Sequence, residues 1–292
     1  MIPEMIIKNP SSVEEVLQIL SNHRTKNKII AGGTDIIPGF HINSPRFTGI
    51  DVLVDINGIK EISQIIELDS YFSIGSSVTF SHLQASSLVR EKLPVLYEAA
   101  SGIGNKQIRN RATIAGNFIN NAPCADSVPA LLVYDAQVVV KSIENESIVS
   151  LQDFLEFPYK TILKNDEIIT EIRIPKKNAH LLGSFYKLGR RRAVAISRIS
   201  LAVLGSVENG IFTDFRLASG AITPIGMRFK EIESFILGKG IDRDLLKEVA
   251  VKTGSKILEV TGLRWSTPHK LPVLQKTLYQ LLVNNFLEND EK

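Results

Sequence analysis

Apolar residues at Val13, Val16, Leu17 and Leu20 recur at the three- and four-residue spacing of one helix face. Ser11 or Ser12 precedes them as a cap, and Glu14 or Glu15 stands near the positive end. After a polar exit at Asn22 to Asn27, Lys28 to Ala31 reads as a buried strand that ends in a Gly32-Gly33 turn. Val52 to Ile56 predicts a strand, with a turn at Asn57-Gly58. Glu61 to Ile66 and Tyr71 to Gly75 predict a strand pair around a loop at Glu67 to Ser70. Thr79 or Ser81 caps a helix to about Ser86, and Leu93, Leu96, Tyr97 and Ala100 mark a helix that runs to Ser101. Leu131 to Lys141 reads as helix or loop followed by a strand, and Glu167 to Pro175 alternates like another strand.

Pro175-Lys176-Lys177-Asn178 is the best candidate domain boundary, separating 1–176 from 177–292. Beyond it, Ser184 to Leu188 and Ser200 to Val207 predict strands. Asn209-Gly210 is a hairpin turn with Phe212 to Ser219 as its partner strand, and Pro224 breaks the pattern. Glu231 to Leu237, Arg243 to Leu258 and Lys270 to Leu287 predict helices, the last with Leu271, Leu274, Leu278, Leu281 and Leu282 on one face. The second part is therefore expected to be a small antiparallel sheet with helices.

Between the two early helices and the boundary lies the stretch on which the chemistry turns, KQIRNRATIAGNFINNAPCAD, Lys106 to Asp126. A basic cluster (Lys106, Arg109, Arg111) leads into the apolar run Ala112 to Ala115, then Gly116-Asn117 and a polar, proline-containing loop. Small residues allow a backbone to approach an anion, and consecutive N–H groups in such a turn make an anion-binding concavity. This stretch and Ala31 to Asp35 read as two halves of a site for a phosphate-bearing cofactor. Gly32-Gly33 taken alone is equally a simple turn. G-x-G-x-x-G is absent, so the Rossmann fingerprint does not apply.

Composition narrows the chemistry. The chain has 292 residues, a formal net charge of +3 and one cysteine, Cys124. One thiol excludes an internal disulfide and an iron–sulfur cluster held by this chain alone. The five histidines are scattered without zinc spacing. Redox chemistry must then come from an organic cofactor or a partner. The N-terminus lacks signal-peptide character, and no apolar run approaches a membrane span, so a cytoplasmic location is expected. Arg190-Arg191-Arg192 is either a solvated loop or a patch facing a partner or dinucleotide, and no interleaved aromatic platform points to nucleic acid. Cys124 has no obvious positioned base. Asp126 either caps the segment from Val128 to Leu132 or hydrogen-bonds cofactor hydroxyls.

IIAGGTDI at 29–36, followed about 80 residues later by ATIAGNFINNAPCAD at 112–126, resembles the flavin subunit of molybdenum hydroxylases, the xanthine dehydrogenase type, with nicotinate and carbon monoxide dehydrogenase flavoproteins as relatives. FYKLGRRRAVAIS at 185–197 and LASGAITPIGMR at 217–228 resemble the same family, so the likeness covers essentially the whole chain. It implies an α+β fold: a two-subdomain FAD-binding domain of the PCMH type (about 1–57 and 58–176), then a C-terminal domain of a three-stranded antiparallel sheet with helices. Ile29, Ile30, Ala31, Gly32, Gly33, Thr34, Asp35 and Ile36 would form the first pyrophosphate loop. Thr113, Ile114, Ala115, Gly116 and Asn117 would form the second. Asp126 would bind cofactor hydroxyls, and Ile103, Ile169 and Lys187 match positions that flank the flavin. The family's Gly-Gly-Asn is here Ala115-Gly116-Asn117, which demands either negative φ at Ala115 or an altered loop.

The function implied is electron transfer. A partner large subunit would carry molybdopterin, and an iron–sulfur subunit would pass electrons to FAD here, then to NAD or another acceptor. Partners would thus make a hetero-oligomer, with no nucleic acid and no membrane span. The rival readings are a stand-alone FAD-dependent oxidoreductase of the same superfamily and a non-enzymatic binding module built on the basic run at Arg190.

Overall fold

The computed structural model describes residues 4–191 and 195–288. β1 (Ile6–Lys8), α1 (Val13–Leu20), β2 (Asn27–Ile30), α2 (Ile36–His41) and β3 (Val52–Asp55) make the first unit. Its three strands are parallel in the order β1-β3-β2, which leaves β2 at an edge. Ser12 caps α1 by accepting from the Glu15 N–H, which satisfies one orphan donor of the helix start, and the Glu15 carboxylate reaches back to accept from the Ser11 N–H at 2.7 Å. Val13, Val16, Leu17 and Leu20 are buried, as the spacing predicts.

β4 (Ile65–Glu67) and β5 (Tyr71–Gly75) follow. Four short helices come next: α3 (Phe80–Ala85), α4 (Ser87–Lys92), α5 (Pro94–Ser101) and α6 (Lys106–Arg109). α7 (Ile114–Asn120), α8 (Ser127–Val133), β6 (Gln137–Lys141), β7 (Glu146–Ser150) and α9 (Leu151–Phe154) lead to the hairpin β8 (Leu155–Phe157)–β9 (Lys160–Thr161) and to β10 (Ile168–Pro175). The second sheet is antiparallel, in the order β4-β5-β10-β6-β7. The third comprises β11 (Leu182–Gly189), β12 (Ser197–Glu208), β13 (Ile211–Gly220) and β14 (Met227–Arg228), with α10 (Lys230–Ile236), α11 (Arg243–Thr261) and α12 (Thr267–Leu282) beyond.

Several expectations are corrected. The C-terminal sheet has four strands, not three. β14 is only two residues long and pairs with Ala218 and Ser219, too short to announce itself by alternation. The expected strand from Glu61 to Ile66 shrinks to β4, because Lys60–Ile62 is a 3₁₀ turn. There the Ile62 carbonyl turns inward to accept from the Ser77 N–H and hydroxyl, which removes it from any ladder. Lys106 to Asn120, read as a basic cluster leading into an apolar run, Gly116-Asn117 and a loop, is helical in two pieces, α6 and α7. Of the two candidate caps for α3, Thr79 serves, accepting from the His82 N–H. Asn209 and Gly210 both take positive φ, 52° and 73°, the mirror-image turn that matches strand twist.

The third sheet is buried on both faces. Ala202, Leu204 and Ala218 pack into the core that surrounds α5 and α8. Ile199, Leu201, Val203, Phe215 and Leu217 pack against the C-terminal helices through Leu246, Leu274 and Phe286. Arg192, the third residue of the basic run, lies outside the described residues. No helix among them is long and apolar enough to cross a membrane.

Candidate functional site

A cavity of about 640 Å³ opens between the edge strand β2 with its glycine turn, the start of α7, and the β8–β10 segment. Each wall follows from local chemistry. β2 ends at Ile30, and Gly33 reverses the chain with φ 71°, a value glycine reaches without strain. Gly32 meets the second loop directly, since a Cβ there would lie 2.1 Å from the Arg111 carbonyl oxygen. Asn57 steadies the first turn by donating to the Ala31 carbonyl at 2.7 Å. The N–H groups of Gly32, Gly33, Thr34 and Asp35 make no hydrogen bond among the described residues.

The second wall is a helix start, not a loop. Thr113 caps α7, its hydroxyl accepting from the Gly116 N–H at 3.1 Å. The Ile114 N–H is taken by the Val78 carbonyl at 2.9 Å, whereas the Ala115 N–H has no partner among the described residues. Ala115 lies inside the helix and has no positive φ, so its replacement of the family's glycine leaves the local backbone helical. Residues with free N–H groups on both walls therefore line one cavity, an arrangement suited to receiving an anion without a dedicated cation.

The cavity gathers Ile29, Ile30, Ala31, Gly32, Thr34, Asp35 and Ile36 from the first predicted segment, Thr113, Ala115, Gly116 and Asn117 from the second, and Ile169 from β10. Gly33, Ile103, Ile114, Asp126 and Lys187 do not line it. Ile114 is wholly buried in the core and Ile103 nearly so, its carbonyl accepting from Arg109 at 3.0 Å.

Asp126 and Lys187 form a second cluster. Lys187 Nζ lies 2.7 Å from Asp126 Oδ2 and 2.9 Å from the Gly102 carbonyl, while Ser197 donates to Asp126 Oδ1 at 2.5 Å. Asp126 precedes α8 but makes no side-chain cap to it. Burial pushes the Asp126 carboxyl above its ordinary range, against the pull of Lys187 and Ser197. Burial, with the nearby Asp126 charge, likewise raises the Cys124 thiol, the opposite of nucleophile activation. Asn117 connects the two regions: it lines the cavity and accepts from the Ser127 hydroxyl at 2.7 Å, one residue after Asp126.

Sequence reasoning missed Lys28, Arg46 and Tyr159, all of which line the cavity. Arg46 donates to Asp35 Oδ2 at 3.0 Å and to Asn120 Oδ1, 74 residues away in sequence, at 2.6 Å. Only the fold brings these together. Lys28 stood at the start of a predicted strand, without a feature to single it out.

Residues 4–177 match the family described as the FAD binding domain in molybdopterin dehydrogenase. Residues 184–286 match the CO dehydrogenase flavoprotein C-terminal domain. The nicotinate dehydrogenase FAD-subunit of Eubacterium barkeri is 30% identical over 280 residues, with 94% of each chain covered.

The chain belongs to the FAD-binding subunits of the molybdopterin dehydrogenases.

Another member similar to it is the xanthine dehydrogenase FAD-binding subunit of Escherichia coli O157:H7, 30% identical over 267 residues, 91% of this chain and 90% of that one. Among solved structures, a carbon monoxide dehydrogenase from Hydrogenophaga pseudoflava superimposes with a TM-score of 0.88 at 26% identity, over 97% of each chain. The family resemblance seen in the sequence therefore holds, and the chain is an oxidoreductase subunit of this molybdenum hydroxylase family.

Proposed function

We propose that this chain carries FAD in a hetero-oligomeric molybdenum hydroxylase of the xanthine dehydrogenase type. It takes electrons from iron–sulfur clusters on one partner subunit, fed by a molybdopterin-binding large subunit, and passes them to NAD or another acceptor in the cytoplasm. The observation that carries this reading is that Gly32, Thr34, Asp35 and Ala115, whose N–H groups have no partner among the described residues, line one cavity from two walls. That donor set fits a diphosphate, and the close Gly32–Arg111 contact explains why one wall needs glycine.

Flavin, when bound, supplies reversible two-electron chemistry; the protein holds, orients and shields it. Ile29 to Ile36 and Thr113 to Asn117 serve as the two pyrophosphate segments. Ile169, which lines the cavity, would pack against the cofactor. Ile103, Asp126 and Lys187, in the neighbouring cluster joined to the cavity through Asn117 and Ser127, would flank the flavin. There the carboxylate of Asp126 is already shared between Ser197 and Lys187, so its role is to hold the ammonium as well as to meet cofactor hydroxyls. On this reading residues 1–176 are the FAD-binding domain, with subdomains of about 1–57 and 58–176, and 177–292 the C-terminal domain. The separate parallel and antiparallel sheets on either side of residue 57 support that division.

An absorption spectrum of the purified chain, before and after denaturation, tests the cofactor. Flavin bands with FAD as the released species are expected, and a colourless chain that also fails to take up added FAD defeats the reading. Bleaching of those bands by NADH tests the acceptor separately.

A further inference from the structure

Between the end of α11 at Thr261 and the start of α12 at Thr267 the chain makes a tight turn. The Arg264 carbonyl accepts from the Thr267 N–H, and the Arg264 N–H donates to the Thr267 hydroxyl, both at 2.9 Å. Leu263 and Trp265 flank Arg264 and stand out from the surface, 87% and 83% exposed. α12 lies against β12 and shares a core with it. That packing brings Lys270, near the start of α12, within electrostatic reach of Arg198, near the start of β12, and of Arg264.

Arg198, Arg264 and Lys270 thus share one patch of surface, and among the described residues no ion pair or side-chain hydrogen bond offsets any of them. Close packing, and after it the charges of Arg198 and Arg264, hold the Lys270 ammonium below the ordinary lysine range. α12 adds to the positive field: Ser266 gives it no side-chain cap, and Lys270 sits toward the helix end where a cation is disfavoured. Arg190 and Arg191 are exposed just beyond β11, at the same end of the sheet as Arg198. Like charges gathered without a counter-charge raise the energy of the bare surface, and an anionic partner lowers it.

We propose that Arg198, Arg264 and Lys270, with Leu263 and Trp265, form the docking surface for an acidic protein that accepts the subunit's electrons. The inference rests on the FAD reading above and names the chemistry of the acceptor that it leaves open. Position supports an acceptor: Arg198 follows Ser197, whose hydroxyl donates to Asp126, and Asp126 holds Lys187, so the patch borders the cluster assigned to the flavin. Composition supports a protein: a small anion needs the cations alone, whereas Trp and Arg beside an exposed leucine are the mixture found at the energetic centres of protein interfaces. Charge supports an acidic one, which the patch steers and whose carboxylates relieve the repulsion within it. Two molecules of an oxidised one-electron carrier take the two electrons released as bound reduced flavin returns to FAD, and the proton goes to solvent.

The test is titration calorimetry of the flavin-loaded full chain with oxidised plant-type [2Fe–2S] ferredoxin, an acidic carrier, at about 20 and 150 mM salt. The parent is expected to bind at the lower salt and about tenfold more weakly at the higher, where exposed charges are screened beyond about 8 Å. Arg264→Gln and Lys270→Gln are each expected to weaken binding about threefold or more and to flatten the salt dependence. Trp265→Ser is expected to weaken it about tenfold with the salt dependence kept. Flavin content stays at the parent's level in all of these variants. Lys270→Gln also separates docking from folding: removing a like charge leaves the Tm at or above the parent's, whereas loss of a structural lysine lowers it. A parent that does not bind ferredoxin, one that binds the basic carrier cytochrome c equally well, or variants that bind ferredoxin like the parent overturn the proposal. A blue shift of the emission of Trp265, the chain's only tryptophan, on phosphatidylglycerol vesicles but not with ferredoxin assigns the patch to a lipid surface and overturns it too. A chain that takes up no FAD defeats the cofactor reading itself, a distinct outcome.

Discussion

Lys187 on β11 reaches across to Asp126 at the head of α8, and the 2.7 Å contact joins the C-terminal sheet to the segment that follows the second glycine-bearing wall. Both side chains are largely buried, with 16% and 5% of their surfaces accessible. Removing one partner leaves the other charge stranded. Asp126→Ala or Lys187→Met is therefore expected to lower the unfolding free energy of the cofactor-free chain by about 3–5 kcal/mol. The double variant should lose less than the sum of the two. Urea unfolding of the four proteins measures this coupling; strictly additive losses would mean the pair does not act as a unit.

Gly32→Ala tests the contact between the two walls. The added carbon meets backbone atoms of Arg111 and Ala112, which cannot swing aside as a side-chain tip would. Overpacking of this kind costs about 1–3 kcal/mol, and here it also pushes the walls apart. Lower thermal stability and reduced FAD content after purification are expected together. A variant that holds FAD like the parent would show that the walls can part without consequence.

Ala115→Gly tests the departure from the family's Gly-Gly-Asn. Because Ala115 is a buried helical residue, the reversion to glycine is expected to destabilise by roughly 0.5–1 kcal/mol, with no gain in FAD affinity. A tighter complex in the glycine variant would mean that the alanine methyl obstructs the cofactor.

Tyr134 gives a pH-dependent signature. Its ring is fully buried and its hydroxyl accepts from the Val95 N–H at 3.3 Å, near the start of α5. Burial raises its pKa far above the usual 10.0. Above pH 10 the unfolded chain releases this proton while the folded chain keeps it. Stability should then fall by about 1.4 kcal/mol per pH unit from this group alone. In Tyr134→Phe that alkaline slope disappears, while stability at neutral pH drops by about 1–3 kcal/mol because the Val95 N–H is left unpaired. Denaturant melts at neutral and alkaline pH separate the two effects.

Those tests draw on features of unequal visibility in the sequence. Helix caps such as Ser12 and Thr79 were legible because a hydroxyl before an apolar periodic run has one main use. The Asn209-Gly210 hairpin was legible for the same reason of local chemistry. α7 was not, because Gly116 and Asn117 are poor helix formers, and the cap from Thr113 together with burial of Phe118 decides the matter in the folded chain. β14 consists of two residues with only Ala218 and Ser219 to pair with. Among the residues that line the cavity, the glycine turn and the Thr113 segment stand out by their composition, whereas Arg46 could be recognised only after the chain had brought Asp35 and Asn120 to either side of it.

The four-stranded sheet, with apolar residues from both faces sunk into separate cores, is a party wall between the two halves of the molecule. A wall that is dry on both sides offers no greased plane for sliding and no hinge that opens without tearing packed side chains apart. The cavity is lined wholly by residues of the N-terminal half, so whatever enters or leaves it does so on one side of that wall, with no need for the halves to part.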